Sequence, residues 1–407
     1  MRARAQSQRG VALLMVMIAL AILTVMTADF MESNETRLMT AVNHRDAVQA
    51  EYLARSGINL SRLLLSVQSM PGFEKAMNFP FWEYADMMLE PFASSEGAGM
   101  MEELLGVSMA DTTGLGLPEG HEFSVTIVDE ESKININMGA DATREERRLT
   151  LVQNLSTLME PEMYDDVFKG KDYRDEVERE DVVKEMVDFI DGDADQFLEA
   201  SGEEDYYSSL EPEYRRKNAP FDSLQELHLV HGVGDDFWSA FVEPDAEDPK
   251  SRVLTVWGNA RINVNTAPAA VLLSSLCMLA IDEQGNNPCM DLNTRENLAN
   301  ILQAHLVLRT LLPVSNVKEF MQRVNGGDPL MLLIDPSIVP FPVQGNRASE
   351  LFMTKSQVFS IYAEGTVGNV TRRIHAVVDT EPKIADIIDP TQSLTAAGGR
   401  ILYWRQE

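Results

Sequence analysis

Residues 11–28, VALLMVMIALAILTVMTA, carry no charge, and no strong helix breaker follows them until Pro71-Gly72. Eighteen residues in a helix span about 27 Å, close to the hydrocarbon thickness of a bilayer. From Phe30 to Gln68 there is no proline and one glycine, Gly57. Leu38, Val42, Val48, Tyr52, Leu53, Ile58, Leu60, Leu64 and Val67 recur at nearly one-face helical spacing. The pattern predicts a single helix over about 11–68, with a transmembrane half at 11–28 and an amphipathic half over 29–70.

The flanks orient this helix. Arg2, Arg4 and Arg9 precede the apolar run without an acid among the first ten residues, and Asp29, Glu32 and Glu35 follow it. That asymmetry keeps the N-terminus cytoplasmic and sends the rest across the membrane. A secretory signal peptide would have a shorter apolar run, a helix break and small residues at its cut. Here the exit is Val25-Met26-Thr27-Ala28-Asp29, unbroken and with a bulky Met26.

The chain has 407 residues and a formal net charge of -30, so nucleic acid is an unfavourable partner. Cys277 and Cys289 flank the turn-like stretch DEQGNNP, a loop that one disulfide could close in an oxidising compartment. Two reduced thiols on a loop are the alternative.

Two stretches of the body repeat each other, Lys133-Ile134-Asn135-Ile136-Asn137 and Arg261-Ile262-Asn263-Val264-Asn265. Each follows β-rich sequence and precedes a helix-like run, so their asparagines are expected to cap helices or brace turns. VFSIYAEGTVGNVTRRIHAVVD reads as two alternating strands joined through Gly-Asn. With 121–137 and 252–264, this predicts four to six strands among helices, an α+β architecture. Between the repeats, Asp191 to Tyr214 contains many acids and neither lysine nor arginine. Asp191, Asp193 and Asp195 have the alternating spacing of calcium loops, and Glu203, Glu204 and Asp205 could complete a shell. The EF-hand template fails, with Gln196 and Gly202 at its glycine and glutamate positions. A solvated acidic loop is the competing reading.

No HExxH, Gly-x-Ser-x-Gly, Walker loop or CxxC occurs. His228 and His231 fall on a predicted amphipathic helix, LQELHLVHGV, where a structural role is expected. LQELHLVHGVGDDF and INVNTAPAAVLLSSL resemble helix-hairpin-helix elements, but Asp235-Asp236 after Gly232-Val233-Gly234 would repel phosphate. A nucleic-acid module and a membrane-anchored periplasmic hydrolase are the alternatives to a non-enzymatic chain.

A basic leader ending in Gly10 ahead of such a helix resembles the type IV pilins and pseudopilins. The blocks DFIDGDADQFLEASGEEDYY, YRRKNAPFDSLQELHLVHGV, GNARINVNTAPAAVL and SQVFSIYAEGTVGNVTRRIHAVVD resemble, in order, minor pseudopilin K of type II secretion. The resemblance implies cleavage of the 1–10 leader between Gly10 and Val11 by a prepilin peptidase, and methylation of the new terminus. It also implies an inner-membrane anchor with a periplasmic body, and the minor pseudopilins I and J as partners. It implies calcium at Asp191, Asp193, Asp195, Glu203, Glu204 and Asp205 as well. Where most pseudopilins carry glutamate at the fifth mature position, this chain has Met15, a departure regular in the K class. The implied fold is a long helix on an antiparallel sheet interrupted by a large helical insertion. The expected divisions are a pilin-like domain (71–139, 252–265, 350–382), an inserted helical domain (140–251, 266–349) and a tail (383–407).

Overall fold

The computed structural model describes residues 4–68, 80–93, 117–141, 143–169, 178–192, 207, 213–280, 287–343, 345–381 and 399–406. Its labelled helices are α1 (Arg4–Gln68), α2 (Ala85–Ala93), α3 (Glu145–Met159), α4 (Arg179–Ile190), α5 (Ala269–Leu279), α6 (Leu292–Leu311), α7 (Val317–Val324), α8 (Pro329–Ile334) and α9 (Gly345–Leu351). Its strands are β1 (His121–Asp129), β2 (Ile134–Asn135), β3 (Leu254–Thr255), β4 (Ile262–Asn263), β5 (Phe352–Met353), β6 (Val358–Val367), β7 (Val370–Asp379) and β8 (Arg400–Gln406). The α+β class expected from the sequence is what these elements form.

One core joins the second half of α1 to an antiparallel sheet ordered β1-β6-β7-β8. Helix and sheet meet through small residues. Ala50, Ala54, Ile58, Ser61 and Leu65 recur every three or four positions and are buried. At the seam, a Cβ on Gly365 of β6 would lie 2.1 Å from the Ala50 carbonyl oxygen. The absence of that carbon lets the helix backbone rest directly on the strand. Gly368 and Asn369 turn β6 into β7, with Gly368 at φ +59° and Val367 paired to Val370, as the Gly-Asn signal predicts.

The second core, running from Ile134 to Phe352, is helical and internally duplicated. β2 pairs in parallel with β3, and β4 pairs in parallel with β5. In each half the first asparagine of the repeated motif accepts from the backbone two residues on, Asn135 from Asn137 (2.9 Å) and Asn263 from Asn265 (3.0 Å). The second asparagine staples a distant segment through both of its backbone groups. Asn137 donates to the Phe221 carbonyl (2.9 Å) and accepts from its N–H (2.8 Å). Asn265 does the same with Val314, at 3.0 and 2.9 Å. A further amide proton reaches the neighbouring strand, at Val256 in one half and Thr354 in the other. Even the local cap is repeated: Glu226 accepts from the Asp222 N–H, and Glu319 from the Ser315 N–H. The halves meet at α3 and α5, where Asn154 bonds Ser274 and Ser275.

Several expected boundaries move. α1 begins at Arg4 rather than near residue 11, so the leader continues the helix. Residues 252–265, expected in the pilin-like domain, bury Leu254, Val256, Ile262 and Val264 in the helical core instead. Residues 134–139 and 350–353 also belong there, because the polypeptide crosses between cores at 129–134 and 353–358. The 383–407 tail supplies β8, the fourth strand of the sheet. LQELHLVHGV contains a 3-10 helix, Leu224–Leu229, in place of an amphipathic α-helix. That segment is held by the Asn137 staple and the Glu226 cap, which favour a tight turn over propagation.

Candidate functional site: a bare helix, an acidic insert and a charged junction

Gly10 and Val11 lie within α1, and every residue from Gly10 through Ala41 is exposed. From Gly10 to Gln49 the helix projects about 60 Å beyond its docking point. Its membrane-length apolar window lies within Gly10–Ser66, and none of that window is buried. The few hydroxyls inside this stretch are turned back on the helix. Thr24 donates to the Leu20 carbonyl (2.8 Å) and Thr27 to that of Leu23 (2.9 Å), which suits an apolar surrounding. Met15 is 64% exposed, so the fifth position after Gly10 presents a thioether to whatever surrounds the helix.

The acidic insert leaves from the end of α4. Asp191 is fully buried and pairs with Arg148 of α3 at 3.0 Å. Its carboxylate is therefore held inward by a guanidinium, leaving it to share any cation with that partner. Asp193, Asp195, Glu203, Glu204 and Asp205 lie outside the described residues. Among the described residues, no group of three or more potential metal ligands converges. Both ends of the insert are pinned: the Asn218 N–H donates to the Phe189 carbonyl (3.0 Å), and Phe221 sits in the Asn137 staple. In the second half the corresponding link is only 312–316, so the acidic segment is an insertion into one copy of a duplicated frame. Cys277 and Cys289, which bracket the loop after α5, are joined by a disulfide with Cα atoms 5.6 Å apart.

The crossing between the two cores, Asp129-Glu130-Glu131-Ser132-Lys133, is buried throughout and carries no functional motif in the sequence. The three carboxylates tie down segments far along the chain. Asp129 accepts from Asn263, Thr266 and Ser356 and from the Glu131 N–H. Burial raises its pKa against the pull of those donors. Glu130 accepts from Lys133 (2.9 Å) and Thr255. Burial would raise its pKa, but the Lys133 charge and hydroxyl bonds outweigh that and hold it low. Glu131 accepts from Asn259 (2.6 Å) and the Gln357 N–H (2.6 Å), yet burial pushes it up to about 7. Three acids before a lysine, directly ahead of the first Ile-Asn motif, were the available signal. In the first half of the helical domain, Gly232 turns the chain at φ +82°, with exposed Asp235 and Asp236 following it, an arrangement that repels phosphate.

The family model described as Type II secretion system (T2SS), protein K, matches residues 132–241, from the junction through the first half of the helical domain. A Pseudomonas aeruginosa relative named type II secretion system protein K is 25% identical over 300 residues, covering 72% of this chain and 74% of the relative. A relative of the same name from Pectobacterium carotovorum subsp. carotovorum is 26% identical over 238 residues, covering 57% of this chain and 60% of that protein. These sequence likenesses are all to type II secretion system protein K. A solved chain of the GspK-GspI-GspJ complex from the type 2 secretion system of enterotoxigenic Escherichia coli covers 72% of this chain and 81% of its own length. That alignment has 16% identity and a TM-score of 0.45. The acidic insert thus lies inside the stretch that carries the protein K likeness.

Proposed function

We propose that this protein K-like chain is a non-enzymatic minor pseudopilin, seated at the tip of the type II secretion pseudopilus. In that position it helps initiate assembly and drive folded proteins across the outer membrane. The observation that carries the reading is the protein K match on the helical domain of a chain whose apolar helix stands bare. A bare helix of this length is an assembly element: it rests in the inner membrane first and among neighbouring helices later. The body lies in the periplasm, and the neighbours are the minor pseudopilins I and J. Prepilin peptidase cuts between Gly10 and Val11, after which the new terminus is methylated.

Met15 supports the tip position. A buried carboxylate costs several kcal/mol unless paired, so a subunit without one at this point has no terminal amine of a neighbour to neutralise. Calcium bound by the 191–205 insert, with Asp191 at its inner edge, belongs to the same proposal.

N-terminal sequencing of the chain recovered from membranes should begin at Val11, and loss of its gene should leave exoproteins in the periplasm. A start near Asp29, or unimpaired secretion, would sink the reading. Met15→Glu should be tolerated or mildly harmful in the same secretion assay, whereas a large gain would mark an ordinary shaft subunit.

A further inference from the structure

We propose that the cleft between the outer face of the sheet and the first half of the helical domain binds a neutral pyranose oligosaccharide. Strand alternation creates the cleft's floor. On one face, Val125, Ile361 and Ile374 are buried toward α1. On the other, the register sets Thr126, Tyr362, His375 and Arg405 in one cross-strand row. A polar face of this kind needs water or a polar cover. The helical domain covers it only in part, leaving about 530 Å³, a volume typical of small-molecule sites.

Three features select the ligand. The first is a cluster of aromatic rings from both cores, with Trp257 and Tyr403 tilted 47° to each other. Trp257 of the helical domain and Tyr403 of β8 are both half-buried, with ring centroids 5.8 Å apart. Tyr403 leads on to His375 at 5.3 Å, itself stacked on Tyr362 at 4.2 Å. Flat apolar ring faces of this kind receive the C–H face of a sugar ring.

The second is that most acids and bases lining or underlying the cleft are paired with each other, and the two further charges in the lining, Glu247 and Arg405, are of opposite sign. Arg252 pairs with Glu243, Lys133 with Glu130 (2.9 Å) and Arg373 with Glu364 (2.9 Å). Such pairs present fixed donors and acceptors with little net field, which favours a neutral polar ligand over an ion. The third is the hydroxyl lining from Ser124 and Thr126, able both to donate and to accept. A neutral polyol with one apolar face uses all three. An acidic sugar, a phosphate or an amino acid would bring a charge into a site whose acids and bases already balance in number.

The test uses the full chain in a detergent whose headgroup contains no sugar. Chitotetraose and maltotetraose are the probes, separating an amino-sugar glycan from a glucan, and an oligogalacturonate serves as the charged control. Saturation transfer from protein to the sugar C–H protons reads contact directly, and tryptophan fluorescence reads affinity. At least one neutral oligosaccharide should bind saturably with Kd on the order of 1 mM or tighter. Trp257→Leu should weaken it about tenfold, the loss of roughly one aromatic contact. Tyr403→Leu, on the edge strand, should do the same and keeps the question answerable if the first variant misfolds. No saturable binding of either neutral probe, preference for the oligogalacturonate, or binding indifferent to a folded variant would overturn the proposal.

Discussion

Glu131 is shut between Asn259 and the start of β6, and burial holds its proton up to about pH 7 in the folded chain. A carboxyl whose folded pKa lies above its unfolded value stabilises below the unfolded pKa, near 4.5, and loses that contribution as pH rises through about 7. The full swing is about 3 kcal/mol. His305 and His375 work in the opposite direction. Burial lowers both to about 4, so their contribution is present above about 6.5 and lost on acidification toward 4. The opposing groups flatten the parent's profile, and a single substitution should unmask the slope. Glu131→Gln should gain stability relative to the parent as pH rises from about 5 to 8, by up to about 3 kcal/mol. Urea melts at several pH values measure this directly. A difference between the two proteins that stays constant across that range would refute the assigned proton.

At the scale of elements, the seam between α1 and β6 depends on Gly365. A Cβ there meets the Ala50 carbonyl oxygen at 2.1 Å and the Ala54 nitrogen at 2.7 Å. Both are helix backbone atoms, so no side chain can swing aside. Gly365→Ala should therefore push helix from strand and cost about 1–3 kcal/mol. Hydrogen exchange should rise first along residues 50–65, and unchanged protection there would refute the seam. α1 and the β6–β7 hairpin were legible in the sequence because each carries its own period over many residues. β2, β3 and β4 fall inside the β-rich segments 121–137 and 252–264, but their two-residue length and parallel pairing were not legible, and β5 gave no period at all. Asparagine staples hold those strands to partners far along the chain, such as Phe221 and Val314. β8 is rich in Ile, Leu, Tyr and Trp, but its distance from β7 in sequence made it look like a tail. The junction was hidden for a related reason. Asp129-Glu130-Glu131 lies inside the segment 121–137 read as β-rich, and nothing local shows that Asn263, Thr255 and Asn259 are brought over it. The acidic insert was visible from composition alone, because crowded carboxylates need no fold to declare themselves.

For the whole molecule, the two cores have separate interiors, so a perturbation of one can leave the other standing. The proposed calcium loop follows α4 of the helical core, at a point where the duplicated half has only 312–316. Its frame is pinned on both sides, by Asn218 on Phe189 and by Phe221 in the Asn137 staple. Stripping the ion should thus unbalance the carboxylates of the insert and loosen α4 with its neighbours, while the β1-β6-β7-β8 sheet stays protected. Asp191 should respond least, because Arg148 already compensates its charge. A native-state ligand at one hundred times its Kd stabilises by about 2.7 kcal/mol. The chain lacking residues 1–28, of which 10–28 are exposed, should melt higher in calcium and lower in chelator. Asp193→Ala combined with Asp195→Ala should shrink that shift. Hydrogen exchange should place the chelator's effect in residues 143–192 and 213–242 and spare 358–379. Superimposable melts in calcium and chelator, with no ion bound, would leave the insert as a solvated acidic loop. Loosening that spread equally through both cores would show that the junction carboxylates couple what the packing separates.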